Sequence, residues 1–298
     1  MPTVTAIIPA RLASERFPRK VLASDTGLPL VVHVLRAARR AAAVHRALVA
    51  TDSEEVARAV RGAGGEAVLT RPDHPNGTAR LAEAAELLGL PDDDVVVNAQ
   101  GDEPELPPDT IDAAVAALTD AEPAAGDSPV PPPSIGTAAA PLADPAEIAD
   151  PNVVKVVRDA RGRALYFSRA PIPHHRDPLP PRRDPLPPRR DPADRPHPAS
   201  PAPDAAAPLR HIGLYTYTAG FLRRYAALPP TPLERTEKLE QLRALEHGCA
   251  IAVALVPAAH PGVDTPEQYA AFVRRHAAAH ATNAPDPPDP AQPPKPAM

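Results

Sequence analysis

Short apolar runs rich in valine and isoleucine alternate with amphipathic helical stretches through the first half of the chain, and this alternation restricts what it can fold into. Residues 4–8, 47–51, 67–70 and 94–98 read as strands, and residues 30–43, 54–63, 78–88 and 110–118 as helices. Strand–helix alternation with short links implies an α/β fold with a mostly parallel central sheet covered by helices on both faces. Asp52 followed by Glu55 has the form of a capping box for the second helix, and Gly64 and Gly65 end that helix.

The segment after the first strand, Pro9-Ala10-Arg11-Leu12-Ala13-Ser14-Glu15-Arg16-Phe17-Pro18-Arg19-Lys20, holds four cations. In open α/β sheets ligands bind just beyond the carboxyl ends of the strands. Clustered cations there suit a polyanion, and the commonest small one is a nucleoside triphosphate. The loop has none of the glycines of a Walker loop or a dinucleotide fingerprint. Phosphate must therefore be held by side chains, bidentately by Arg and as a point charge by Lys.

The rest of the composition narrows the class. At 298 residues the chain suits one large α/β domain or two small ones, and its net charge of −5 argues against a general nucleic-acid binder. The single cysteine, Cys249, cannot form an internal disulfide and is expected to be buried and inert. With no signal-peptide pattern and no apolar run of about 18 residues, a soluble cytoplasmic protein is expected. Of 32 cations, 28 are Arg and four are Lys (20, 155, 238 and 295), a skew read as base-composition bias.

In the second half, residues 153–158 and 164–168 flank Asp159-Ala160-Arg161-Gly162 and read as a hairpin. Residues 211–218 and 250–256 are further strands. A helix is expected between these, opened by Thr231 as cap with Pro232 and Glu234, and closed by Gly248. Leu239, Leu242 and Leu245 form its apolar stripe, with Glu240 and Gln241 on an exposed face. The seven residues DPLPPRR occur twice in tandem, at 177–183 and 184–190. Residues 174–208 and 282–298 are proline-rich and expected to be disordered, leaving 1–281 as a single domain with an insertion.

Two acids stand where chemistry is expected. Gln100-Gly101-Asp102-Glu103-Pro104 follows the strand at 94–98, and Gly262-Val263-Asp264-Thr265-Pro266 follows the strand at 250–256. Alone, Asp102 reads as part of a solvated turn and Asp264 as a helix cap. Together they could clamp Mg²⁺ against a transferring phosphate.

These motifs resemble the 3-deoxy-manno-octulosonate (Kdo) cytidylyltransferases. The similarity runs from residue 4 to about 273 in the family's order. It rests on Ile8-Pro9-Ala10-Arg11 with Arg16-Phe17-Pro18 and Lys20, on Ala50-Thr51-Asp52, on Asp73-His74 with Gly77-Thr78 and Arg80-Leu81-Ala82-Glu83, and on Val97-Asn98-Ala99-Gln100-Gly101-Asp102-Glu103-Pro104. It continues through Pro151-Asn152-Val153-Val154-Lys155, Tyr166-Phe167-Ser168-Arg169-Ala170-Pro171-Ile172-Pro173, Arg210-His211-Ile212-Gly213-Leu214-Tyr215, Leu239-Glu240-Gln241-Leu242-Arg243 and Gly262-Val263-Asp264-Thr265-Pro266.

The resemblance implies a nucleotide-diphospho-sugar transferase (Rossmann-like) fold, with a hairpin-containing insertion for sugar binding or dimerisation. It implies a homodimer that joins CTP and Kdo into CMP-Kdo, releases pyrophosphate and uses Mg²⁺, for lipopolysaccharide biosynthesis. By the same resemblance Asp102, Lys20 and Arg11 are catalytic. Arg11, Arg16, Lys20, His74, Thr78, Arg80 and Gln100 hold the nucleotide, while Arg169, His211, Tyr215, Glu240 and Gln241 hold the sugar. Asp102 and Asp264 hold the metal. The chain departs from the family pattern twice: Arg19 stands where a small residue is usual, and Ala79 where an acid is usual. A cytidylyltransferase for another acidic sugar, or a scaffold acting through the Pro-Arg repeats, remains an alternative at this level.

Overall fold

The computed structural model describes residues 2–14, 16–120, 132–174 and 207–282. The tandem repeats, nearly all of the 174–208 insertion and the tail from residue 283 lie outside the described residues, and with them the expectation that they are disordered.

The strands are β1 (Val4–Ala10), β2 (Arg46–Thr51), β3 (Ala67–Leu69), β4 (Val95–Asn98), β5 (Ile135–Pro141), β6 (Lys155–Arg158), β7 (Ala164–Ser168), β8 (Leu209–Thr218) and β9 (Ile251–Leu255). They form one sheet in the order β3-β2-β1-β4-β8-β5-β9, with the β6–β7 hairpin joined to the start of β8. β1, β2, β3 and β4 are mutually parallel, and β5 is parallel to β9. β8 lies antiparallel between β4 and β5, so β9 points the same way as β1. The carboxyl ends of β1, β2, β3, β4 and β9 therefore meet at one rim.

The helices are α1 (Leu30–Arg40), α2 (Glu54–Gly62), α3 (Gly77–Leu87), α4 (Pro108–Thr119), α5 (Pro145–Ala149), α6 (Ala219–Ala226), α7 (Pro232–Glu237), α8 (Gln241–Glu246) and α9 (Pro266–Thr282). Strand periodicity divides them between two cores. In β1, Val4, Ala6, Ile8 and Ala10 face the core shared with α1, α2 and α4, while Ile7 faces the core shared with α3, α6 and α8. A third, smaller cluster of Leu30, Val263, Tyr269 and Phe272 takes in Phe17 of the basic loop.

Three local expectations are corrected. The cap of α2 is Ser53, whose hydroxyl accepts from the Val56 N–H at 3.4 Å, and not Asp52. The helix expected after Thr231 is two helices. Thr231 precedes the first as expected, its N–H donating to Glu234 at 3.2 Å, but Lys238 takes the left-handed conformation at φ 55° and turns the chain inward between α7 and α8. Cys249 is half-buried, and partial burial raises its thiol pKa.

β5 escapes sequence reading because Gly136, Ala138, Ala139 and Ala140 have weak strand propensity. Its small residues let α4 pack close. A Cβ on Gly136 would run into the Thr216 hydroxyl and the Ala114 carbonyl. Gly136→Ala is expected to cost about 1–3 kcal/mol, measured as a lower urea midpoint with unchanged slope. Gly62→Ala, at a helix position with open space around its Cβ, should leave the midpoint unchanged or raise it.

Candidate active site

The basic loop leaves β1 at the rim and ends in a short 3₁₀ turn, Lys20–Leu22. Arg19 precedes it in the left-handed region at φ 59°, and this reversal directs Lys20 inward, where the residue is 8% exposed. The Lys20 ammonium donates to Asp102 Oδ2 at 2.9 Å and to Asp264 Oδ1 at 3.0 Å. Arg16 reaches the same Asp264 oxygen at 3.0 Å. The Val263 N–H donates to the Asp102 carbonyl at 2.8 Å, so the two acidic loops are also joined through main chain. Arg11 is exposed just past the end of β1, at the same rim.

Asp264 does not cap α9. The Thr265 hydroxyl accepts from the Gln268 N–H at 3.3 Å, and Gln268 Oε1 accepts from the N–H groups of Asp264 and Thr265 at 2.6 and 3.1 Å. This capping box spares the Asp264 carboxylate for Lys20 and Arg16. Phe17 packs on Tyr269 with ring centroids 5.5 Å apart, and the Tyr269 hydroxyl accepts from the Asp25 N–H at 2.7 Å. The basic loop is thereby fastened to α9. The Arg19 guanidinium points elsewhere and pairs with Glu55 of α2.

Two carboxylates meeting at one cation, both partly exposed, are hard oxygen donors of the kind Mg²⁺ prefers. Among the described residues no group of three or more His, Cys, Asp or Glu side chains is arranged to hold a metal. A pair of carboxylates fits a cation whose remaining positions go to phosphate oxygens and water.

On the β2–β3 side of the rim, the residues read as nucleotide contacts are engaged within the protein. Buried Arg80 donates to Asp52 Oδ2 at 3.0 Å and to the Thr70 hydroxyl at 2.5 Å, tying together the loops after β2 and β3. His74 is buried against Glu83, which also accepts from the Arg71 N–H at 3.0 Å. Burial alone would raise the Glu83 pKa, but these hydrogen bonds and charges outweigh it and hold the carboxyl low. Thr78 is buried, with its hydroxyl shared between Tyr217 and Glu240.

Of the residues expected at the sugar, His211 and Tyr215 lie on β8, whose first half runs past the end of β4. Tyr215 is opposite Asn98, and the register slips between the Thr137–Tyr215 and Ala138–Ile212 pairs. Gly213 lies in this bulge, and its carbonyl accepts from Gln100 Nε2 at 3.3 Å. Thr137 donates to the Leu214 carbonyl at 2.7 Å, so its oxygen accepts from His211 Nε2–H at 3.0 Å. Burial lowers the His211 pKa from 6.5 to about 3, so the ring is neutral at pH 7. Tyr215 lies beside it at 5.4 Å, with burial raising its phenol pKa.

Glu240 and Gln241 do not lie on an exposed helix face. The turn at Lys238 carries Gln241 into the interior at 5% exposure and leaves Glu240 half-buried. Burial raises the Glu240 pKa against the opposing Thr78 hydroxyl and Arg243, and its buried Oε1 has no hydrogen-bond partner among the described residues. Arg169 is tied down more than expected: Nε and Nη1 donate to the carbonyls of Glu237 and Pro151, each at 2.8 Å. The Arg169 carbonyl in turn accepts from fully buried Lys155 at 2.6 Å.

Three residues near the site carried no role in the sequence reading. Glu237 accepts from Ser168 and from the Arg169 N–H at 2.6 and 2.9 Å, holding the end of β7 against α7. Burial would raise its carboxyl pKa, but the bonds from Arg169, Ser168 and Tyr166 keep it low. Glu103 and His260 face each other across the acidic loops at 3.2 Å. For Glu103 the sequence signal was adjacency to Asp102, whereas His260 stands in a run with no periodic pattern.

A mostly parallel sheet with cations and two carboxylates at its carboxyl rim defines a nucleotidyltransferase of the α/β class. The Cytidylyltransferase family model matches residues 5–251. The 3-deoxy-manno-octulosonate cytidylyltransferase of Acidovorax sp. (strain JS42) is 51% identical over 263 residues, covering 88% of this chain and 93% of that protein. The protein of that name from Leptothrix cholodnii is 50% identical over 275 residues, covering 91% and 90%. A solved CMP:2-keto-3-deoxy-manno-octonic acid synthetase complexed with CTP is 34% identical, with a TM-score of 0.74 over 94% of this chain and 99% of that one. The chain belongs to the 3-deoxy-manno-octulosonate cytidylyltransferase family.

Two outcomes follow from the geometry. Because the Arg19 guanidinium is committed to Glu55, Arg19→Gly should change the KM for CTP less than about threefold, under about 1 kcal/mol; a tenfold rise would put Arg19 on the phosphates. His211 binds its proton less readily in the folded protein than in the unfolded chain. Its contribution to stability is complete above pH 6.5 and is lost as pH falls toward about 3. His211→Asn should flatten the pH dependence of unfolding free energy across that window in denaturant titrations.

Proposed function

We propose that this chain transfers CMP from CTP to the anomeric hydroxyl of Kdo, releasing pyrophosphate and forming CMP-Kdo, with Lys20, Asp102 and Asp264 at the reacting phosphate. The observation that carries the residue assignment is the convergence of Asp102 and Asp264 on the Lys20 ammonium at the rim where the basic loop ends.

Arg11, Arg16 and Lys20 bind the triphosphate. In the free protein Arg16 and Lys20 are paired with the two aspartates, and they exchange those contacts for phosphate oxygens as CTP enters. Asp102 and Asp264 are the groups that would hold Mg²⁺, which when bound neutralises charge on the phosphates and orients them. The sugar hydroxyl attacks the α-phosphorus and gives up its proton to solvent, the bond to the β-phosphate oxygen breaks, and pyrophosphate leaves with that electron pair. Negative charge builds on the phosphate oxygens, so a fixed ammonium and guanidinium lower the barrier electrostatically.

Gln100 spans the phosphate rim and the sugar side. His74 and Arg80 act on the nucleotide by shaping the loops after β2 and β3, and Thr78 by holding Glu240 and Tyr217 in place. On the sugar side, the unpartnered Glu240 oxygen is an acceptor for a hydroxyl. His211, Tyr215 and Gln241 supply neutral polar edges, and the part of the Arg169 guanidinium not bound to carbonyls faces the sugar carboxylate. We read the protein as a cytoplasmic homodimer, where CTP is available. Leu165 on the hairpin, a large apolar side chain that is 62% exposed, supports self-association through the hairpin.

Pyrophosphate release should require CTP and Kdo together, and should fall sharply with ATP, GTP or UTP, or with sialic acid in place of Kdo. Asp102→Asn should lower kcat about 10³-fold, roughly 4 kcal/mol, with little change in the urea midpoint. Full activity of that variant would remove Asp102 from the reaction.

A further inference from the structure

The two loops that carry Asp102 and Asp264 each bring one further buried ionisable side chain that the proposed reaction leaves unused. Glu103 follows Asp102 directly, and His260 stands four residues before Asp264. His260 Nε2 lies 3.2 Å from Glu103 Oε2, and the side chains are 6% and 17% exposed. Neither ring nitrogen of His260, nor Glu103 Oε2, has a hydrogen-bond partner among the described residues. The two polar side chains thus meet across the gap between the loops, with no hydrogen bond from these atoms to any other described residue. The loops touch directly alongside this contact. Val263 N–H donates to the Asp102 carbonyl, and the Cβ position of Gly262 lies 3.9 Å from that same carbonyl oxygen.

Lys20 also spans the two aspartates, but its ammonium has to be shared with phosphate once CTP binds. The main-chain bond fixes one point of contact and leaves rotation about it free. A second, side-chain contact that takes no part in the exchange can hold the two loops at constant separation through the whole cycle.

We propose that His260 and Glu103 form a strut between the loops that fixes the spacing of Asp102 and Asp264, and so sets the affinity of the site for its divalent cation. Both are positioning residues, and the proposal rests on the reading of Asp102 and Asp264 as the metal carboxylates. Outer groups that orient ligating carboxylates are typically worth about 10–100-fold in metal affinity.

The test uses Mn²⁺ as the probe, its binding to the full chain with CTP followed by the loss of the free-ion electron paramagnetic resonance signal beyond the loss that the same CTP concentration causes without protein. His260→Leu and Glu103→Leu should each weaken Mn²⁺ binding about tenfold. The double variant should lose no more than either single one, and His260→Gln, which keeps a donor, should recover most of the loss. In turnover, the Mg²⁺ concentration for half-maximal rate should rise by the same factor, while kcat at saturating Mg²⁺ stays within about threefold. Glu103→Gln keeps the shape of the site if the leucine variants fold poorly, and should show the same direction. Val253→Ala, a core change away from the loops, should lower stability without moving Mn²⁺ affinity.

Unchanged Mn²⁺ binding in both single variants overturns the strut. So do losses that multiply in the double variant, or a matching loss in Val253→Ala. Asp102→Asn tests the underlying reading separately: wild-type Mn²⁺ affinity in that variant would remove the metal assignment itself, whatever His260 does.

Discussion

One ammonium group holds the active rim together. Lys20 bonds Asp102 across 82 residues of sequence and Asp264 across 244, so three segments that share no secondary structure meet at a single atom. The sheet makes this possible, because β8 enters antiparallel and leaves β9 running in the same sense as β1 and β4. With Arg16 included, the cluster has two cations against two carboxylates and is balanced. A buried charge that loses its partner is costly, so the cluster accepts a polyanion most readily when a counter-cation arrives with it. The arrangement also explains the capping box at Thr265 and Gln268. Were Asp264 to cap α9, Lys20 and Arg16 would lose the carboxylate they share.

The surroundings change character from the rim along β8. At the rim the groups are charged and partly wet. Beyond Gln100, burial keeps His211 unprotonated, raises the Glu240 pKa and keeps the tyrosine hydroxyls protonated. A more buried, hydrogen-bonding wall suits hydroxyl groups, which need orientation more than charge compensation, whereas phosphate needs the reverse. The bulge at Gly213 joins the two regions, since it presents a main-chain carbonyl to Gln100 at the boundary.

The alternation of β1 to β4 with α1 to α4 was legible because β-branched runs and amphipathic periods are local properties. So was the pairing of the basic loop with the acids after β4 and β9, because a parallel sheet gathers its carboxyl ends. Reading failed where a long-range contact overrides local preference. β5 is a strand only because small residues let α4 and β8 close on Gly136. The chain breaks after α7 because Lys238 adopts a left-handed turn that its side chain does not announce. Exposure of Glu240 was misjudged for the same reason. The pairing of Arg80 with Asp52 and of His74 with Glu83, both acids half-buried, is likewise a tertiary contact that the sequence does not display.

The two departures from the family pattern have separate structural accounts. Arg19 sits at φ 59°, a backbone conformation that glycine adopts freely and that a residue with a Cβ adopts at a cost. An arginine in that region carries a steric cost of about 1–2 kcal/mol, and an exposed pair with Glu55 offsets at most part of it. Ala79 raises the opposite question, since an acid is missing. In this chain Arg80 is braced by Asp52 from the loop after β2, and His74 by Glu83 one turn further along α3. The Ala79 N–H is itself capped by Asn76 at 2.9 Å. Both cationic or protonatable neighbours are thus already paired, so the loss of the acid at position 79 leaves no charge without a partner at the start of α3.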